Sequence, residues 1–264
     1  MERLEEILQI NKMLLEDQPQ YKEDALRVPR DVQSQRRLMR SLMNVRYPRS
    51  LPEALIKAQD ALLAKEREEK GVVHVSEIPS TATSERIKIW QGDITRLDVD
   101  AIVNAANSAM LGCFVPCHGC IDNAIHSAAG LELREECAEI MKRQGHEEPT
   151  GRAKITAGYN LPTKHVIHTV GPIIYGVLTR EDEQLLASCY RSCLELASRE
   201  GLESIAFCCI STGEFHFPNR RAAEIAVETV KQFLNENTQI KMVVFNVFKD
   251  IDAKIYHELL DEVK

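Results

Sequence analysis

The sequence predicts an α/β protein: a three-layer α/β/α unit on a mixed, largely parallel sheet, preceded by a small helical N-terminal subdomain. Three observations carry that expectation. Before residue 80, apolar side chains recur at helical spacing. After Glu85, short β-branched runs alternate with longer helical stretches, the pattern of a sheet covered on both faces. Between the two, a charged run, KEREEKG at 65–71, gives way to the polar IPSTATSE at 78–85, which reads as a linker. The expected division is a helical subdomain at 1–80 and an α/β domain at 81–264.

In the first segment, Leu4, Ile7, Leu8, Ile10 and Leu14 form an apolar helical stripe. Asp31 is placed to cap a second helix that brings Leu38, Met39, Leu42 and Met43 to one side. Ser50-Leu51-Pro52-Glu53 has the form of a capping box, followed by Leu55, Ala58 and Leu62 at helical spacing. In the second segment the expected strands are Ile87–Trp90, Val99–Val103, Lys154–Gly158, Val166–Val170, Ser204–Cys208 and Ile240–Phe245. The expected helices are Asp122–Ala129, Leu131–Arg143, Arg180–Arg199, Arg220–Leu234 and Ile251–Val263. In such sheets a ligand sits over the carboxyl ends of the strands, so the loops there should hold the function.

Composition excludes several classes. No apolar run reaches membrane-span length, and the acidic, amphipathic N-terminus is unlike a signal peptide, so a cytoplasmic protein with reduced cysteines is expected. The net charge of −7 falls wholly after residue 80, where 19 basic side chains face 26 acidic ones. That balance argues against a long nucleic acid partner. A small anion held by backbone N–H groups needs no net positive charge and stays open.

Three loops carry chemistry. In GDIT (92–95), Asp93 either caps a turn or accepts a hydrogen bond from an exocyclic amine such as that of adenine. In VDAIVNAANSAMLG (99–112), Asn104 and Asn107 either shape a turn or bind sugar hydroxyls. In STGEFHFP (211–218), consecutive N–H groups suit a diphosphate, and Phe215 and Phe217 are placed to cover apolar faces of a ligand. With IDNAIHSAAG (121–130), GRAKITAGYNLP (151–162) and HVIHTVGP (165–172), these segments resemble, in order, the macrodomain family over about residues 86–264. The resemblance implies a macrodomain that binds ADP-ribose. Asp93 and Ile94 would contact adenine, Asn107 the distal ribose, and Ser211, Thr212, Gly213, Glu214 and Phe215 the diphosphate. Phe248 is a further candidate for stacking on adenine.

One loop departs from the family pattern. Where most macrodomains continue with glycines, this chain reads LGCFVPCHGCIDNAIH (111–126). Four of its sixteen Cys and His residues fall within 113–120, the clustering expected of a metal site. Adjacent Cys117 and His118 are awkward as joint ligands, which leaves Cys113, His118 and Cys120 as a C-x4-H-x-C set for zinc (Zn2+) with an open fourth position. Packed thiols, or a closed structural zinc with Cys117 as fourth ligand, are the competing readings. The remaining cysteines read as structural, and His126, His165 and His168 as core or capping residues. The loop resembles that of the zinc-dependent macrodomain subgroup, microbial proteins with a helical N-terminal segment.

The resemblance implies a hydrolase that removes mono-ADP-ribose from a modified protein, with Asn107 and Asp122 as the catalytic pair and Asp122 alternatively the helix N-cap. Acyl linkages to Asp or Glu are the expected bonds, and the subgroup implies a lipoylated carrier protein as partner. A non-catalytic ADP-ribose reader and an O-acetyl-ADP-ribose deacetylase are the rival functions, and a third reading makes residues 1–80 an interaction module with the macrodomain as its sensor.

Overall fold

The structure, a computed structural model, describes residues 2–261. Four helices open the chain: α1 (Glu2–Asp17), the short α2 (Lys22–Ala25), α3 (Val32–Val45) and α4 (Glu53–Lys70). Then follow β1 (Val73–His74), β2 (Ser80–Thr81), β3 (Ser84–Gln91), β4 (Leu97–Asp98), β5 (Ala101–Ala106), α5 (Ile121–Ala129) and α6 (Leu131–Gln144). The chain continues through β6 (Ala153–Ala157), β7 (His165–Val170), α7 (Arg180–Arg199), β8 (Ser204–Phe207), α8 (Asn219–Glu236), β9 (Met242–Val247) and α9 (Asp250–Leu260).

Seven strands form one sheet in the order β2-β3-β9-β8-β5-β7-β6, and β1 and β4 pair separately. The five inner strands run parallel, while β2 and β6 close the two edges antiparallel. Helices cover both faces, so the central strands β5, β8 and β9 are mostly apolar on both sides and not alternating. Ala101, Ile102 and Val103 of β5 and Val166 and Ile167 of β7 have no exposed surface. The one polar side chain within β5, Asn104, is equally buried, directly opposite His168 of β7.

All six expected strands and all five expected helices of the α/β unit are present, with ends shifted by a few residues. The expected helix end at residues 262–263 lies outside the described residues. Asp31 caps α3 as expected, its Oδ1 accepting from Ser34 N–H at 2.9 Å. The capping box at Ser50–Glu53 does not form: Pro52 is the N-cap of α4, without a side-chain bond. The buried Arg46 guanidinium accounts for this, since it holds the carbonyls of Arg49 and Ser50 and fixes that turn itself. Residues 73–81 are not an open linker, because β1 pairs with β4 and β2 with β3.

The helical segment has a core of its own, built on Ile7, Ile10, Leu14, Met39, Leu42, Met43, Leu55 and Leu62. Leu131 of α6 joins that cluster, so the segment sits on the α5–α6 side of the α/β unit.

Candidate functional site

A cleft of ≈ 720 Å³ opens over the carboxyl ends of the inner strands, within the size expected of a cofactor site. Asp93, Ile94, Asn107 and Asp122, the three candidate ligands, and Ser211 through Phe215 line it, while Asn104 and Phe217 do not. Phe248 lines it as well. A second cavity of ≈ 140 Å³ shares Arg40 and Asp93 with it but is too small for a nucleotide.

Asp93 caps its turn and also lines the cleft. Its Oδ1 caps a short 3-10 turn by accepting from Thr95 N–H and Oγ1 at 3.0 and 2.7 Å. Burial raises the carboxyl, but the Thr95 bonds and nearby Lys70 outweigh it and hold Asp93 below its ordinary range. The backbone beside it is steadied by Asn246, whose Nδ2 donates to the carbonyls of Trp90 and Gly92.

The two asparagines of the NAAN turn separate. Asn104 is wholly buried and cannot reach a sugar; its Nδ2 donates to Asp122 Oδ1 at 2.8 Å and lies 3.1 Å from His168 Nδ1. Asn107 stands just past the strand end, in the cleft wall, with Nδ2 3.2 Å from the Gly112 carbonyl and 3.5 Å from Asp122 Oδ2. Asp122 is not the cap of α5: Cys120 takes that position, its Sγ accepting from Asn123 N–H at 3.4 Å. Asp122 is instead buried in the first turn. Burial pushes its carboxyl up to about 6, opposed by the Asn104 bond and by Arg134.

The ligand atoms of Cys113, His118 and Cys120 lie within 4.8 Å of one another. Their chemistry fits zinc: two sulfurs and an imidazole, brought together by one short loop. His118 Nδ1 is buried with no hydrogen-bond partner among the described residues, while Nε2 faces Glu214 Oε1 at 3.8 Å. Burial, with Cys113 and Asp122 alongside, pushes the Cys120 thiol up to about 12, a penalty that a coordinated cation reverses. Cys117 faces the other way, with Sγ 3.3 Å from Ser41 Oγ and 3.5 Å from the Arg37 carbonyl on α3. The closed four-ligand arrangement is therefore not formed.

A second group, His126, Cys137 and His168, also brings potential ligands together, but it is sealed in the core. His168 is engaged at both nitrogens, by Asn104 and by Thr156 Oγ1 at 3.0 Å, and burial lowers it to about 3. It reads as a polar knot under the site, in line with the core assignment of both histidines.

In the loop at 211–215, the amides of Gly213, Glu214 and Phe215 have no acceptor among the described residues. Ser211 adopts φ of 64° and folds the chain back so that Phe217 N–H reaches its carbonyl at 2.9 Å. Phe215 lines the cleft, whereas Phe217 is 1% exposed and belongs to the core, not to a ligand face. Free amides in a tight turn suit an anion.

Arg40 on α3 lines the cleft from outside every sequence motif, and Phe114 of the Cys113–Cys120 loop lines it as well. Arg134 stacks over the Phe114 ring at 4.4 Å. No local pattern marks either arginine, since their partners lie far along the chain.

Comparison with known proteins bears on this geometry. The family model described as Macro domain matches residues 103–226. A protein-ADP-ribose hydrolase of Treponema medium is 51% identical over 249 residues, covering 94% of this chain and 95% of that protein. One from Staphylococcus aureus (strain MRSA252) is 48% identical over 238 residues, covering 89% of this chain and 88% of that protein. The Trypanosoma brucei macrodomain solved in complex with ADP-ribose aligns with a TM-score of 0.65 at 32% identity, over 83% of this chain and 94% of that one.

Proposed function

This chain belongs to the macrodomain family, and from that premise we propose that it is a protein-ADP-ribose hydrolase which removes mono-ADP-ribose from modified side chains with a zinc ion in the Cys113–Cys120 loop. One observation carries the reading: the candidate ligands, Asn107, Asp122 and the free amides at 213–215 all open onto one cleft.

In this reading the diphosphate rests on the Gly213, Glu214 and Phe215 amides, and adenine lies by Asp93, Ile94 and Phe248. The distal ribose then falls between Asn107 and the metal loop. Asn107 offers its amide to a ribose hydroxyl, since its bond to Asp122 Oδ2 is long at 3.5 Å. That same Oδ2 is available to accept from a hydroxyl or a water, with Oδ1 anchored by Asn104. Cys113, His118 and Cys120 would hold zinc, which when bound supplies a Lewis acid that polarises an oxygen and fixes the sugar. Two thiolates leave the ion formally neutral, so positioning outweighs strong acidification of water. Acyl linkages to Asp or Glu are the expected bonds, because an ester carbonyl is more readily attacked than an N-glycoside.

The test measures ADP-ribose release from an Asp/Glu-modified protein and from a modified lipoylated carrier. Native protein, chelated protein and the Cys120→Ala variant are compared, with zinc quantified in each. Turnover that follows about one zinc per chain and is lost in the other two samples supports the zinc hydrolase. Full turnover by folded, metal-free protein removes zinc from the mechanism. Binding of ADP-ribose without turnover in every sample makes the chain a reader.

A further inference from the structure

Resting on the zinc reading of the Cys113–Cys120 loop, we propose that α3 is the clamp of that loop, with Arg40 and Asn44 as positioning residues. The helical segment is then a working part of the metal site and not an appended module.

The side chains of α3 divide into two stripes. Met39, Leu42 and Met43 face the segment's own core. Arg37, Arg40, Ser41 and Asn44 recur at i, i+3, i+4 and i+7, which puts them on one face. On an amphipathic helix that face normally meets water. Here the side chains of Arg40, Ser41 and Asn44 and the Arg37 carbonyl meet the metal loop, while the Arg37 side chain stays exposed.

The contacts fall beside the ligands. Asn44 Oδ1 accepts from Cys117 N–H at 2.9 Å. Arg40 donates to the His118 carbonyl at 3.3 Å and, through Nε and a terminal nitrogen, to Asn123 Oδ1 at 3.1 and 2.7 Å. Asn123 in turn donates to the Val115 carbonyl at 2.9 Å. The Cys117 thiol sits between Ser41 Oγ and the Arg37 carbonyl. Asn44 is 1% exposed, and its Nδ2 donates to Ser127 Oγ on α5, so one end of a buried amide ties α3 to the loop and the other ties it to the helix that follows the loop.

The loop needs such a hold. It has no strand or helix between β5 and α5, and its one internal backbone bond near the ligands is His118 N–H to the Val115 carbonyl at 3.2 Å. Cys117 has φ of 52°, a region that residues with a Cβ avoid. That residue directly precedes His118 and is the one whose N–H Asn44 accepts. Releasing it lets Cys117 relax and swings His118 away from the two sulfurs.

The experiment uses the full chain. Zinc affinity is measured by competition with a chromogenic chelator, and ligand geometry from the electronic spectrum of the cobalt(II)-substituted protein. Wild type is compared with Asn44→Ala, Asn44→Asp, which keeps the acceptor for Cys117 N–H, and Arg40→Met, which keeps the aliphatic stem. Zinc affinity should fall about 10–100-fold in Asn44→Ala and Arg40→Met, the usual cost of losing a group that orients metal ligands. The cobalt bands should shift in both and return toward wild type in Asn44→Asp. Thermal unfolding of each metal-free variant confirms that it is folded, and Arg40→Met carries the test if Asn44→Ala is not. Wild-type affinity and an unchanged cobalt spectrum in folded Asn44→Ala or Arg40→Met overturn the clamp. Failure of the wild-type protein itself to take up zinc or cobalt overturns the zinc reading, and the clamp with it.

Discussion

Asn104 Nδ2 donates to Asp122 Oδ1 at 2.8 Å from the middle of a buried strand, so a residue that never reaches the cleft governs one that does. Replacing it with Ala strips a partner from a buried carboxyl and from His168 Nδ1. Asn104→Ala should lose about 1–3 kcal/mol of stability, the cost of unpaired buried polar groups. It should also lower turnover more than it weakens ADP-ribose binding. Denaturant unfolding, calorimetry and the hydrolase assay read the three effects. Unchanged turnover would detach Asp122 from the chemistry.

Cys117 and Cys113 should answer mutation differently. Cys117 Sγ points at Ser41 and Arg37, away from the other sulfurs. Cys117→Ser is expected to keep the zinc content of the wild type, while Cys113→Ser loses it, as read by metal analysis of purified protein. Equal loss in both would restore the four-ligand site.

Gly171 protects the turn at Ser211. A Cβ at Gly171 would collide with Ser211 Oγ and lie 2.9 Å from Ile210 Cγ2. Gly171→Ala should therefore displace the loop that carries the free amides. Misplacement of about an ångström can cost turnover on the order of 100-fold, and weaker ADP-ribose binding should accompany it. Calorimetric titration checks the binding. Wild-type affinity in this variant would show that the diphosphate rests elsewhere.

Phe248 is 75% exposed in the cleft wall, so the free protein gains little from it. Phe248→Ala should leave the unfolding temperature unchanged and weaken ADP-ribose binding by about 1–3 kcal/mol, the range for an aromatic side chain stacked on a base. Phe248→Tyr should retain most of the affinity. Equal affinity in wild type and Phe248→Ala would remove the stacking role.

What the sequence makes legible follows from how local each signal is. The doubly buried strands β5 and β7 announce themselves as short β-branched runs, and α7 has the bounds its periodicity indicates. Strands β1, β2 and β4 are two residues each and too short for any periodicity. The three candidate ligands stand out because they fall within eight consecutive positions. Asn104 and Asn107 look alike in sequence, and only the strand's end at Ala106 separates the buried one from the cleft-lining one. Phe217 was equally ambiguous beside Phe215. Arg40 and Arg134 carry no local signal, as their hydrogen-bond partners lie 21–91 residues away along the chain.

Cys113, His118 and Cys120 share a single connection between β5 and α5, while the sheet and the loop at 211–215 stand apart from it. Exchange of that one connection would bring in or remove all three donors together, like a cassette. A related domain with a glycine-rich connection is a single exchange away from the ligand set. Under the proposed zinc reading more is needed, because a transplanted connection would arrive without the helix that faces it.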